Sequence, residues 1–299
     1  MTRTGGVGGT GAVYDRGYRP YDGPRGGRRA AVLALVRASI RRALGLRRSW
    51  RQKLLPFSLL AVVSIPAAVN VGIGFATRNL PQAGFEFFSY RDYVGVSSAL
   101  LLFLAVCAPD VVCPERRQRV LSILFARPLT GGDYVVAKLG AVFALLFAFS
   151  LLPQVMLFVG RALVSKGALA YVGDNASILW KVPVAAAALA VYYAAFGLAV
   201  SCVTSRRVVA GAAILGVSLV ISTASEILSE STGNSGPAQL LNLLRLPLAV
   251  RDLVFLGHLD ETWQLSGNAH SGVMALAAYL VVLGASLAVL ALRYRTVET

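Results

Sequence analysis

The chain has 299 residues, of which 56% are hydrophobic and only 14% are charged, and its mean hydropathy is +0.66. Soluble chains carry about 25% charged residues, so this composition excludes an ordinary soluble enzyme. The formal net charge of +15 would favour nucleic-acid binding in a soluble protein, whereas in a membrane protein it is typical of a basic cytoplasmic face.

The first 53 residues divide into two parts. Residues 1–27 are rich in Gly, Pro and Arg without an apolar period, which predicts a disordered cytoplasmic tail. In residues 28–53 apolar residues alternate with arginines at helical spacing, which predicts an amphipathic interfacial helix on anionic lipid. A topology-setting anchor and a regulatory role are both open for this helix. No aromatic or motif-like pattern accompanies the charge, so we expect no binding of nucleic acid.

The remainder, residues 54–299, is predicted to be a six-helix transmembrane domain. Six apolar segments come close to the roughly twenty residues that a bilayer core requires. They are residues 54–77, 93–112, 138–159, 182–204, 208–225 and 273–292. Prolines interrupt several of them, which packed membrane helices tolerate.

The basic residues are concentrated on one side of the predicted membrane. With the amino terminus inside, the inner segments hold 22 of the 29 Lys and Arg residues and the outer segments hold 7. This bias predicts that both termini are cytoplasmic. The fold class predicted is therefore an all-α, multi-pass integral membrane protein. The Ala-, Arg- and Gly-rich composition is typical of a high-GC bacterium, so we expect the inner (plasma) membrane of a bacterial cell.

The connection between the fifth and sixth spans, residues 226–272, is long and semi-apolar. Its length, together with Pro237 and Pro247, favours a re-entrant or interfacial outer element over a seventh span. A seventh span would also place the carboxyl tail outside and reduce the excess of basic residues on the inner side.

Residues with catalytic or metal-binding potential are few. The sequence contains no GxxxxGK[ST] phosphate loop and no HExxH motif. His258 and His270 lie near Asp260 and Glu261, but their spacing matches no known set of metal ligands. We therefore expect no catalytic, cofactor or metal site in this chain.

The polar residues in the middle of the spans are uncharged. Ionisable groups lie near the span ends only, which disfavours an ion-coupled transporter. At depth the sequence places Ser64, Asn70, Gln154 and Ser218. Helix–helix hydrogen bonding and the lining of a translocation path are both open interpretations of these four residues. Without a nucleotide site or an ion-coupling group, the energy for any transport must come from a partner.

The loop between the second and third spans has the features of a mechanical coupling element. Residues 115–126 have helical character, with an apolar face beside a basic turn. Arg127-Pro128 ends this helix, and Asp133 is placed to cap the helix that becomes the third span. A short helix held at the inner surface between two spans could transmit the movement of a cytoplasmic partner to those spans.

This loop resembles that of the membrane subunits of ATP-binding-cassette transporters of the type-2 permease class. The matching residues are Glu115-Arg116, Leu121, Leu124, Arg127-Pro128, the turn at 131–133 and Lys138. The loop departs from the family at Arg119-Val120, where Gly-Thr is usual, and at Ala137, where Gly is usual. The amphipathic helix, the six spans and the long outer connection also agree with that family.

The resemblance implies a permease subunit of an ATP-driven exporter, which is not itself an enzyme. The apolar composition of the spans favours a hydrophobic or amphipathic substrate, and it equally suits surfaces that face lipid. Two such subunits, identical or similar, pair around a central path in the lipid membrane. Each contacts a separate ATPase subunit that binds ATP and Mg²⁺. The residues that couple to this subunit are then Glu115, Arg116, Arg119, Arg127, Pro128 and Asp133. A membrane scaffold or assembly protein without a substrate and an ion-coupled secondary transporter are the alternatives.

Overall fold

The structure is a computed structural model that describes residues 26–46, 50–77, 89–94, 97–118, 129–165, 167–231, 236–263, 265 and 270–295. Within these ranges the regular secondary structure is helical, with eleven helices and no strand. They are α1 (Arg28–Ala43), α2 (Trp50–Thr77), α3 (Tyr90–Val94), α4 (Ser97–Arg117), α5 (Gly131–Val164), α6 (Ala168–Asp174), α7 (Ala176–Ser201), α8 (Arg207–Ser231), α9 (Gly236–Gln239), α10 (Leu246–Leu256) and α11 (Ser271–Arg295).

Six of these helices are long and apolar enough to cross a membrane: α2, α4, α5, α7, α8 and α11. Each contains or overlaps one of the six apolar segments of the sequence. The prediction of an all-α protein with six apolar, membrane-length helices is therefore confirmed, and it indicates a multi-pass membrane protein.

The helices extend beyond the apolar segments that predicted them. α5 begins at Gly131, seven residues before the predicted start of the third span, because Thr130 and Asp133 form a capping box. The Thr130 side chain accepts a hydrogen bond from the Asp133 backbone N–H, and the Asp133 carboxylate accepts one from the Thr130 N–H. Lys138 consequently lies two turns inside the helix instead of at its start.

α4 and α7 form the centre of the bundle. α7 packs against α4, α5, α8, α10 and α11. Within the apolar windows of the spans, 72% of residues are buried in α7 and 69% in α4, but only 11% are buried in α2. The outer helices α2, α8 and α11 therefore present most of their apolar surface outward.

The helix predicted over residues 28–53 ends earlier in the structure. α1 ends at Ala43, and Gly45 takes a positive φ of 65° in the turn that follows. α1 packs against α4 and α5 through Leu35, Ser39 and Ala43, which are spaced by four residues and buried. Part of its apolar face thus covers the protein, while its exposed face carries arginines.

Two short helices, α9 and α10, lie between the fifth and sixth membrane-length helices. α10 packs against α3, α7 and α11. Pro247 lies in its first turn, where the missing N–H costs no helical hydrogen bond. Gly257, at φ 80°, ends the helix in the left-handed conformation. Pro247 therefore starts a helix here instead of breaking one.

The bundle has two ends, which we name by their helices. The α1 end contains α1, the carboxyl terminus of α4 and the amino terminus of α5. The α10 end contains α3, α6, α9 and α10. Three parts of the prediction lie outside the described residues. They are the tail apart from residues 26 and 27, residues 119–126 of the predicted coupling helix, and Arg127-Pro128 after it.

Candidate functional site

Glu115, in the last turn of α4, is the centre of a buried ion network at the α1 end. The residue is only 4% exposed. Its Oε1 accepts hydrogen bonds from Lys138 Nζ and from Arg42 Nη1, both at 2.7 Å, and its Oε2 accepts one from the Tyr134 hydroxyl at 2.7 Å. The carboxylate therefore joins α4 to both α1 and α5.

Lys138 is the cation of this network that is buried deepest, at 2% exposure. Its Nζ donates to Glu115, to Ser39 Oγ at 3.0 Å and to the Val111 carbonyl at 3.0 Å. All three ammonium protons thus have acceptors, which lie on α1 and α4, while Lys138 itself belongs to α5. Removing a charge from water costs several kcal/mol unless such partners are present, so these contacts fix how α1, α4 and α5 meet.

A second ion pair at the same end ties the start of α1 to the start of α5. Arg28 donates from Nε and Nη2 to the two carboxylate oxygens of Asp133, at 2.8 and 2.9 Å. The hydrogen bond to Asp133 raises the pKa of Arg28 from its ordinary value. Because Arg28 is exposed, this pair contributes less than the buried one. α1 is held at its beginning by Arg28 and at its end by Arg42.

The predicted coupling residues have different surroundings in the structure. α4 remains helical to Arg117, and this carries Glu115 into the interior, against Lys138. Arg116 donates to the Cys202 carbonyl after α7, and Asp133 both caps α5 and binds Arg28. The Glu115 carboxylate is therefore buried and accepts three hydrogen bonds from donors within the chain. Its role in coupling stays a prediction.

Arg119, Arg127 and Pro128, the other predicted coupling residues, lie outside the described residues. Among the described residues at the edge of this connection, Arg117 is exposed.

The four polar residues predicted at depth have different surroundings. Ser64 donates to the Leu60 carbonyl in its own helix at 2.8 Å. Ser218 is buried on α8. Asn70 and Gln154, by contrast, belong to one polar group around Tyr90 near the α10 end.

This polar group is built from three helices. Asn70 on α2 accepts a hydrogen bond from Arg161 Nη2 at 3.3 Å, and the Arg161 guanidinium lies 4.8 Å from the centre of the Tyr90 ring. Gln154 donates to the Tyr90 carbonyl at 3.2 Å. α2, α3 and α5 are thereby connected through polar contacts within largely apolar surroundings.

A further buried ion network, at the α10 end, is not predicted from the sequence. Asp252 on α10 is almost fully buried and accepts hydrogen bonds from Arg91 Nε and Arg251 Nε, both at 2.9 Å, and from Trp263 Nε1 at 3.3 Å. Arg91 also pairs with Asp260 at 2.5 Å. A signal for this network is present in the sequence, because carboxylates and arginines within a semi-apolar stretch require each other as partners.

Asp260 belongs to the surface side of that network. The Thr262 backbone N–H, assisted by the Arg91 guanidinium, lowers the pKa of Asp260 to about 2. This carboxylate therefore stays ionised and paired at neutral pH. In the part of the chain that the structure describes, no group of three or more His, Cys, Asp and Glu side chains is arranged to hold a metal ion.

The network at Glu115 is suited to transmitting force. Its charged groups are bonded to each other, and it joins three helices at the base of the connection between two membrane-length helices. The described residues around Glu115 include no nucleophile activated by a neighbouring base. No protein-family model and no curated protein sequence matches the chain.

Proposed function

We propose that the chain is the membrane-spanning permease subunit of an ATP-driven exporter. A separate nucleotide-binding subunit pushes on the connection between α4 and α5 and thereby moves the spans. The observation that carries this proposal is the buried network at Glu115, which binds α1, α4 and α5 together where that connection begins and ends. Separating α4 from α5 would break the buried pair of Glu115 and Lys138, at a cost of about 3–5 kcal/mol, so these two helices move together. Arg42 ties α1 to them.

The distribution of positive charge supports an orientation with the α1 end in the cytoplasm of a bacterial cell. The exposed arginines at this end include Arg28, Arg29, Arg37, Arg41, Arg117, Arg206, Arg207 and Arg293. Basic residues beside spans favour the cytoplasmic side. In this orientation α1 lies at the inner membrane surface, where its exposed arginines face anionic lipid. The short helices α9 and α10 form the outer, re-entrant element.

The exposed apolar helices support pairing with a second permease subunit, identical or similar. α2, α8 and α11 leave most of their apolar surface uncovered within one chain. Lipid covers part of this surface, and a second subunit covers the part that faces the central path. The substrate class that fits this arrangement is hydrophobic or amphipathic.

Affinity purification from the native host in mild detergent tests the proposal. We expect an ATP-binding subunit in stoichiometric amount, with ATPase activity in the eluate. Charge reversal by Arg117→Glu with Arg119→Glu should lower recovery of this subunit roughly tenfold. The proposed docking surface is the connection between α4 and α5, which Arg117 borders and which contains Arg119. The matched control, Arg206→Glu with Arg207→Glu, changes the charge equally at the turn between α7 and α8 and should leave recovery almost unchanged.

Glu115→Gln separates docking from force transmission. This variant keeps the shape of the side chain but weakens its bonds to Lys138 and Arg42. We expect the ATP-binding subunit to be recovered as from the unmodified chain, with an altered ATPase rate. If the unmodified chain brings down no nucleotide-binding protein and no ATPase activity, the permease function is wrong. A membrane scaffold without transport or an ion-coupled secondary transporter then takes its place.

A further inference from the structure

A cavity of about 120 Å³ lies between α5 and α7, beside the start of α3. Leu151 and Phe158 of α5 and Val182 of α7 give it apolar walls. Two further lining residues, Val155 and Leu179, are 48% and 52% exposed. Both belong to membrane-length helices, so the cavity opens sideways to the surface where lipid chains lie.

One lining residue of this cavity is polar and carries an unused acceptor. Gln154 is 2% exposed, and its Nε2 donates to the Tyr90 carbonyl at 3.2 Å. Its Oε1 has no hydrogen-bond partner among the residues that the structure describes. A buried acceptor without a donor lowers the free energy of unfolding. This destabilisation is larger in apolar surroundings than in water.

The unpaired atom of Gln154 determines what the cavity can bind. Pro183, which also lines the cavity, has no N–H and adds no donor there. Gln154 Oε1 is an acceptor, so a matching occupant must bring a donor of its own.

We propose that this cavity is a binding site for a single lipid-soluble amphiphile that carries a hydroxyl or amide N–H donor. The apolar part of the ligand fills the cavity, and its donor bonds to Gln154 Oε1. The size agrees, because an apolar cavity of about 150 Å³ in another protein binds benzene. A cavity of about 120 Å³ accommodates a ring or a short acyl segment, and any longer chain continues between Val155 and Leu179 into the lipid.

This site goes beyond the proposed function and does not depend on it. Binding requires the chain and a bilayer only, without an ATP-binding subunit or a transport cycle. A negative result at the cavity therefore leaves the permease proposal in place, and failure to find an ATP-binding subunit leaves the cavity in place.

Photolabelling of the purified full chain in lipid nanodiscs tests the site. The probes are a dodecanol that carries a photoactivatable diazirine and its methyl ether, which has the same chain without a donor. Mass spectrometry locates the adducts. We expect the alcohol to label residues 151–158 and 178–183 about three- to tenfold more than the ether does, the ratio for one hydrogen bond.

Two variants distinguish the site from ordinary lipid contact. Gln154→Met keeps the volume and removes the acceptor, and should reduce the alcohol-to-ether ratio to about one. Val155→Phe fills the mouth and should reduce labelling by both probes. The control Val159→Phe makes the same change at an exposed α5 residue that is not among the cavity-lining residues, and should leave labelling unchanged.

Folding of each variant is checked by monodisperse elution in detergent. Equal labelling by both probes in the unmodified chain, with adducts spread over exposed helices such as α2, would overturn the proposal. An alcohol preference that persists in Gln154→Met would overturn it as well. Because Val155 is already partly exposed, its replacement tests the cavity even if Gln154→Met does not fold.

Discussion

Glu115 and Lys138 illustrate how a pair of charges can be stable inside a largely apolar bundle. Lys138 alone would be a costly ammonium in the protein interior, and its three acceptors offset that cost. Glu115 has two cationic partners, so the group of Glu115, Lys138 and Arg42 carries a formal charge of +1. The two cations are not equivalent, because Lys138 is fully buried whereas Arg42 is partly exposed.

This difference predicts an asymmetric response to substitution. Glu115→Leu leaves two cations facing each other and should lower the free energy of unfolding by about 3–5 kcal/mol. Lys138→Met should cost less, because Glu115 keeps Arg42 and Tyr134. The double variant should be more stable than Glu115→Leu alone, since it leaves no buried ammonium. Equilibrium unfolding in detergent measures all three, and losses that simply add would show that the two side chains do not interact.

Residue types in the sequence indicate some members of these networks but not their partners. Glu115, Asp133, Asn70 and Gln154 are polar residues within or beside apolar segments, so sequence patterns single them out. The partner of each depends on how neighbouring helices are rotated and how far they extend. Hydropathy places Lys138 at the start of the third apolar segment, and Asp133 is predicted to cap the helix. In the structure Thr130 is the N-cap and Asp133 completes its capping box, so the helix begins three residues earlier.

At the scale of helices, close approach of α4 and α8 depends on a small residue. Gly211 of α8 lies against the backbone of α4, and a Cβ built there would be 2.6 Å from the Ala105 carbonyl oxygen. Backbone cannot move aside as a flexible side chain does. Close helix packing in membranes relies on such small residues, so Gly211 sets the distance between these two helices.

Gly211→Ala should therefore destabilise the protein by about 1–3 kcal/mol, the usual cost of overpacking. Gly216 provides a matched control in the same helix, because a Cβ built there meets no atom within 4 Å. Gly216→Ala should be neutral or slightly stabilising, since Ala favours helix over Gly. Thermal unfolding of the two purified variants measures the difference, and equal effects would contradict close packing at Gly211.

The helices themselves were largely predictable, whereas their ends and the short helices were not. About twenty apolar residues suffice to indicate a membrane-length helix, and all six were found in this way. Pro247 shows the limit of the pattern, because a proline both ends helices and begins them. Its role in α10 is determined by the contacts of that helix with α3, α7 and α11.

For the whole molecule, the count of membrane-length helices constrains the topology. If all six cross the bilayer, α1 and the end of α11 lie on one side, and α10 lies on the other. The contacts agree, because Tyr134 near the start of α5 packs against Tyr294 near the end of α11, with ring centres 5.0 Å apart. The proposal that the α1 end is cytoplasmic rests on the distribution of basic residues.

Cysteine labelling in cells tests this orientation. The native cysteines, Cys107, Cys113 and Cys202, are buried and should react little with a membrane-impermeant maleimide. Arg29→Cys places a thiol on an exposed residue at the α1 end, and His258→Cys places one on an exposed residue at the α10 end.

We expect His258→Cys to react in intact cells and Arg29→Cys to react only after permeabilisation, with the unmodified chain as the background control. The bilayer separates the reagent from the cytoplasmic side, so the order of labelling reports which end faces outward. Labelling of Arg29→Cys in intact cells would place the connection between α4 and α5 outside the cell. A nucleotide-binding subunit in the cytoplasm would then have no access to that connection, and the proposed function would fail together with the orientation.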